Sequence, residues 1–301
     1  MFKTILLTSL ALLAFAGNSV LNRMALNSDA GQIIDAASFT SIRLISGVLF
    51  LLLIIALSAI KNSTSTKTGA QGLHLNKGSW LSAFYLFVYA LAFSYAYITL
   101  ETGPGALILF GIVQVTMIVT HCLKGRKLHY LEWLGLSIAF IGLAILLLPG
   151  ASAPSIIGFM LMTLSGIAWG LYTLAGKGSS TPLIDTTNNF IRTLPFVAIL
   201  LILTYKNAHV TTQGMLLAVT SGAITSGLGY AIWYSALKGL NVTQAAVIQL
   251  TVPIIAAIGG VLFSNEIISL QLIISSILVL GGVLIVITGK QIMHTLQMRS
   301  M

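Results

Sequence analysis

Charge is what this chain has least of. Only 7% of its 301 residues are Asp, Glu, Lys or Arg, and six of those are acidic. A soluble domain carries about 25% charged residues, so this chain cannot cover itself with a hydrated surface. There is one cysteine, Cys122, which excludes an intrachain disulfide and any multi-cysteine metal site. No G-x-x-x-x-G-K-[ST] loop is present, so ATP is not a direct energy source. No G-x-S-x-G motif is present either, and His121, His129 and His294 fall at or beyond expected helix ends. An intramembrane hydrolase is therefore disfavoured, and no cofactor is called for. The sequence also places no carboxylate near a membrane centre: Glu101, Glu132 and Glu266 all flank apolar runs. Proton coupling through a buried Asp or Glu is thereby disfavoured relative to facilitated diffusion or exchange.

What fills the chain instead is hydrocarbon. Hydrophobic residues make up 57% of it, with a mean hydropathy of +0.99. A spanning helix needs roughly 20 apolar residues. Ten such segments are expected, near 3–22, 36–60, 79–98, 104–122, 131–149, 154–175, 185–205, 212–236, 242–264 and 268–289. The connections are short, apart from a Ser/Thr/Lys-rich stretch at 61–78 that reads as a flexible loop. The fold class is all-α polytopic membrane protein, and the partner implied is the lipid bilayer.

The net charge of +9 suggests nucleic acid until its distribution is read. With the N-terminus inside, Lys3, Lys61, Lys67, Lys77, Lys124, Arg126, Lys127, Lys177, Lys238, Lys290 and Arg299 all fall on the cytoplasmic side. Only Arg23 and Lys206 fall outside, while Arg43 and Arg192 lie within helices. That bias predicts two cytoplasmic termini in a cell (plasma or inner) membrane and removes the case for nucleic acid. The opening segment, with Lys3 and "AFA" at 14–16, imitates a signal peptide. Its continuation and its internal counterpart at 167–177 predict that it is retained as the first helix. Monomer and homodimer are both compatible with this pattern.

An offset of 140 residues lays "LETGPGALILFGIV" (100–113) over "LNVTQAAVIQLTVP" (240–253), and pairs Gly142 with Gly282. An offset near 150 lays "IDAASFTSIR" (34–43) over "IDTTNNFIR" (184–192), and "AFAGNSVLNR" (14–23) faces "IAWGLYTLAGK" (167–177). Two units, 1–150 and 151–301, each contain five expected helices. An odd number inverts the second unit in the membrane, and inverted repeats recur in secondary transporters.

The stretch "LTVPIIAAIGGVLFSNEIISLQLIISSILVLGGVLIVI" (250–287) resembles the C-terminal part of an EamA domain. There a proline-bearing helix precedes a Glu and a Gly-rich last helix. "GALILFGIVQVTMI" (105–118) is similar to the fourth helix of such proteins. The chain as a whole resembles two tandem EamA-type units of the drug/metabolite transporter superfamily. That resemblance implies a ten-helix carrier exporting or exchanging amino acids and other small metabolites. Arg126 and Lys127 stand where the second unit has Glu266 and Ile267, so any role of that Glu is not duplicated.

Several residues are candidates for the transport path. Arg43 and Arg192 match in the repeat, and each either gates its own face, meets a substrate carboxylate, or snorkels to the interface. Tyr85 and Tyr89, Trp169 and Tyr172, and Tyr230, Trp233 and Tyr234 read either as cavity lining or as an interfacial belt. Asn18, Gln114, Asn188, Asn189 and Gln249 are amides at depth, which need a protein or water partner. Gln114 and Gln249 sit on repeat-related helices at non-equivalent positions. Ser221, Thr225 and Gly229, like Ala256 and Gly260, form small-residue stripes suited to close packing. Pro253 is expected inside helix nine as a kink and gate element, whereas Pro104 reads as a first-turn residue. Together these predict a substrate site for a small molecule between the repeats. A channel or a non-transporting scaffold is the competing reading.

Overall fold

The computed structural model describes residues 2–26, 32–63, 78–123, 125, 130–148, 154–240 and 248–299. Their secondary structure is helical, with one isolated bridge between Ile34 and Val210. In chain order the helices are α1 (Phe2–Leu26), α2 (Ala36–Ser63), α3 (Trp80–Ala96), α4 (Thr102–Leu123) and α5 (Tyr130–Leu147). There follow α6 (Ile156–Gly176), α7 (Pro182–Thr204), α8 (Thr212–Leu237), α9 (Val252–Ser264) and α10 (Leu270–Arg299). Eight are long and apolar enough to cross a bilayer, while α3 and α9 are shorter apolar helices.

Local chemistry sets the ends. Ser79, Ser155 and Thr211 cap α3, α6 and α8 by accepting from the backbone N–H three residues on. Asn265, at φ 51°, takes the left-handed turn that stops α9. Two expectations need correction. Helix nine does not run unbroken through 248–264: residues 250 and 251 form a turn, and α9 starts at Val252. Pro253 therefore occupies the first helical turn, where its missing N–H costs nothing, and is not an internal kink. The internal proline is Pro195 in α7. Residues 242–247 of the expected ninth helix, and 64–77 of the expected loop, lie outside the described residues.

The distribution of polarity is that of a membrane protein. Large apolar side chains such as Leu49, Ile202, Leu203 and Leu262 face outward, whereas Asn18, Asn22, Arg43, Ser94, Gln114 and Asn188 are buried. In lipid that is the favourable arrangement, because amides and cations must find protein partners.

The packing pattern has internal symmetry. Helix α1 packs on α8 and α9 of the second half, and α6 packs on α3 and α4 of the first. Likewise α2 pairs with α8 and α7 with α3, while α2–α7, α4–α9 and α5–α10 pair across the halves. Exchanging α1–α5 for α6–α10 maps these contacts onto one another. Two inverted repeats, each lending its first helix to the other, produce this pattern. Glycines permit the closest crossings. A Cβ on Gly282 would stand 2.5 Å from the Gly135 carbonyl, and one on Gly222 would overlap the Arg43 carbonyl and Ser46 Oγ. The α8 stripe serves the same end, since Ser221, Thr225 and Gly229 all face α1.

Candidate functional site

Helix α8 is regular at both ends but carries a π-helical segment at Ser221–Leu228. Such insertions shift side-chain phase and occur mostly at functional positions. Here the segment presents Ser226 to α2 and both Ser221 and Thr225 to α1. Ser226 Oγ accepts from Arg43 Nε at 3.0 Å. Ser221 and Thr225 hydroxyls donate to Asn18 Oδ1 at 2.6 and 3.2 Å.

Arg43 lies seven residues into α2 and is only 1% exposed. Its burial excludes snorkelling, which would leave the guanidinium wet. Nη2 donates to the hydroxyls of Tyr89 (α3) and Tyr230 (α8), each at 3.2 Å. Those hydroxyls are 3.3 Å apart, and Tyr89 also accepts from Asn18 Nδ2 at 3.2 Å. The guanidinium carbon sits 5.2 Å from the ring centres of both Tyr89 and Phe93, within cation–π range. Nη1 has no hydrogen-bond partner among the described residues. A buried cation held only by hydroxyls and rings is an anion-seeking group.

Beside it lies an aromatic cluster. Trp169 (α6) stands 4.7 Å from the ring centres of both Tyr89 and Tyr230, 5.5 Å from Tyr172 and 6.1 Å from Phe15. Phe15 in turn meets Trp233 at 5.6 Å. Phe15, Tyr89, Phe93, Leu109, Phe110 and Trp169 enclose a cavity of about 10 Å³, roughly the space one water needs. This cavity, as it stands, is too small for a metabolite.

The sequence-derived candidates thus separate. Asn18, Arg43, Tyr89, Trp169, Tyr230 and Trp233 converge at the centre. The burial of Tyr230 and Trp233 rules out an interfacial belt for them, a role that exposed Trp80 and Trp133 fit better. Tyr172, fully buried, extends the cluster. Gln114 is buried one turn beyond Phe110 on α4, and its Nε2 has no partner among the described residues. Gln249 is buried just before the turn that precedes α9. Tyr85 is half-buried one turn from Tyr89, outside the Arg43 network. Arg192 stands apart from Arg43, with its guanidinium 6.0 Å over Trp80. Nearby, Asn189 Oδ1 accepts from the Ser79 backbone N–H, tying α7 to the start of α3.

Sequence reasoning missed Phe15, Phe93, Phe110 and Ser226. Phe15 had a usable signal, lying three residues before Asn18 on the same helical face. Ser226 had none, because the π-helical shift alone turns it toward Arg43. Glu266 was also underread. It accepts from Arg23 Nε at 2.9 Å, from the Thr102 N–H with both oxygens at 2.9 Å, and from Thr102 Oγ1 at 3.1 Å. It therefore joins α1, the N-terminus of α4 and the end of α9, with its charge at the positive end of a helix dipole. On the same face Asp35 Oδ2 accepts from the His209 N–H at 2.8 Å, and the Ile33 carbonyl accepts from Thr211 Oγ1 at 2.7 Å. That face, opposite the termini, is cross-tied.

Among the described residues, ten apolar helices interlocked around a polar, aromatic centre define a polytopic membrane protein. Comparison with known proteins makes this specific. The EamA-like transporter family matches residues 156–288. An uncharacterized protein of Pseudomonas aeruginosa is 47% identical over 96% of each chain. An uncharacterized transporter of Archaeoglobus fulgidus is 24% identical over 82% of this chain and 86% of its own. The uncharacterized transporter YoaV of Bacillus subtilis is 19% identical over 81% of this chain and 85% of its own. A solved crystal structure superposes with a TM-score of 0.60 at 16% identity, covering 92% of this chain and 98% of that one, and supports the fold alone. The chain belongs to the EamA-like transporter family.

Proposed function

We propose that this protein is a secondary carrier, an exporter or exchanger, for small carboxylate-bearing metabolites with an apolar or aromatic body, amino acids or related compounds among them. It works by alternating access between the units 1–150 and 151–301. It lies in the cell membrane with both termini in the cytoplasm, so the cross-tied face is extracellular. The observation that carries this reading is Arg43: a fully buried guanidinium that, among the described residues, has one unsatisfied nitrogen and no bonded carboxylate, beside a box of rings.

In this scheme the carboxylate displaces the tyrosine hydroxyls from Arg43, and the apolar body stacks on Trp169. Charge-assisted bonds of this kind are strong because they form away from water. Closure of α2 on α8, through Arg43, Ser226 and Tyr230, seals the outer side. Closure of α7 on α3, through Asn189 and Arg192, seals the inner side. The contracted centre supports gated access over an open channel.

The test is a panel of labelled small carboxylic acids, amino acids included, screened for saturable flux in proteoliposomes. Trp169→Ala and Gln114→Ala should each weaken transport of the best substrate. Unchanged transport in both would sink the site assignment.

A further inference from the structure

We infer that the central site selects monoanions over zwitterions: a carboxylate whose carbon skeleton bears no ammonium group is preferred to the amino acid of the same side chain. This rests on the carrier reading above and narrows its substrate class.

The argument is a count of charge and of hydrogen-bonding capacity. Five of the six acidic residues are described, and each stands at a helix end: Asp35 before α2, Glu101 before α4, Glu132 and Asp185 in first turns, and Glu266 after α9. Asp29 lies outside the described residues. Asp35, the acidic residue nearest Arg43 in sequence, is about 12 Å away along α2 at 1.5 Å per residue, and it is engaged by Ser38 and His209. Every other residue that bonds Arg43 or encloses the cavity is uncharged. Among the described residues, the centre therefore carries one positive charge. A monoanion neutralises it, whereas a zwitterion leaves it in place and brings a second cation close by.

The unspent groups agree. In this conformation the acceptors nearest Arg43 are engaged by donors of the protein: Ser226 Oγ and the Tyr89 and Tyr230 oxygens each take an Arg43 N–H, and Asn18 Oδ1 receives Ser221 and Thr225. Among the described residues Arg43 Nη1 and Gln114 Nε2, both donors, are buried without a partner. An ammonium needs acceptors, and a carboxylate needs donors. The two rings nearest the carboxylate position do not rescue the ammonium, because Tyr89 and Phe93 already face the guanidinium. A second cation over the same faces meets repulsion in a poorly solvated space.

The experiment compares three probes with one body, phenylalanine, 3-phenylpropanoate and 2-phenylethylamine, by calorimetric titration of the full-length protein in nanodiscs at neutral pH. Binding of 3-phenylpropanoate should be about tenfold or more tighter than that of phenylalanine, with no binding of the amine. In Arg43→Gln the ratio should fall to about one; the wild-type ratio decides by itself if that variant does not fold. Phenylalanine binding as tightly as 3-phenylpropanoate would overturn the selectivity and leave the carrier reading standing. Saturable binding of none of the three would overturn both.

Discussion

Replacing Arg43 by Met separates the two things a buried cation can do. If the guanidinium is there to hold helices together, losing it leaves Ser226, Tyr89 and Tyr230 without their donor. Three bonds to a charged group, at about 1.5–3 kcal/mol each, would then cost the fold several kcal/mol. The geometry argues otherwise. Tyr89 and Tyr230 still bond each other, Tyr89 keeps Asn18, and the cation itself was buried without a counter-charge. Methionine fills most of the volume and removes that desolvation penalty. The expected stability change is within about 1 kcal/mol of zero, with either sign. Binding should respond very differently. Losing two charge-assisted bonds to a substrate carboxylate removes about 3 kcal/mol or more, roughly a hundredfold in affinity. Arg43→Lys should fall between, since a point charge cannot reproduce the planar fork. The assay is thermal unfolding and ligand titration on the same nanodisc sample. A large loss of stability with affinity retained would refute the reasoning and make Arg43 a structural clamp.

Other outcomes follow from the same geometry. Gln114→Leu should raise the unfolding midpoint, because it removes a buried donor whose lack of a partner costs about 1–3 kcal/mol, while lowering transport; a fall in both would make the amide structural. Glu266→Gln should loosen the face opposite the termini, seen as faster labelling of a cysteine placed at Ser94, in a Cys122→Ser background, by a water-soluble thiol reagent in detergent; unchanged labelling would deny Glu266 a part in that seal. Glu101 gives a pH signature. Burial and the neighbouring Glu266 raise its pKa above an ordinary glutamate's, with Arg23 opposing. The penalty belongs to the ionised form, so it is present at neutral pH and disappears as pH falls through the raised value. Glu101→Gln should therefore raise the unfolding midpoint at neutral pH and flatten its rise on mild acidification; a lowered midpoint would contradict the assignment.

The architecture was legible because lipid imposes a simple code. Long apolar runs mark the helices, and two offset alignments point to the repeat that the packing pattern displays. The site was half legible. Asn18, Tyr89, Trp169 and Tyr230 announce themselves as polar or aromatic groups at depth, and the structure brings them together. The rest depends on phase. A π-helical segment turns Ser226 toward Arg43, and no periodicity rule anticipates one extra residue per turn. Helix α9 looked continuous because its interruption at 250–251 lies inside an apolar run, where hydropathy is blind to a turn. Arg43 and Arg192, equivalent in the repeat, sit in unlike surroundings because the α2–α8 contact runs deep while Arg192 meets α3 at its first residue, Trp80.

Alternating access is tested most directly by counterflow. Proteoliposomes preloaded with unlabelled 3-phenylpropanoate should accumulate the external labelled compound transiently, saturably, and faster than empty vesicles do. Arg43→Met should abolish that stimulation. Flux that rises linearly with concentration and ignores the internal load would contradict the account and make the protein a channel.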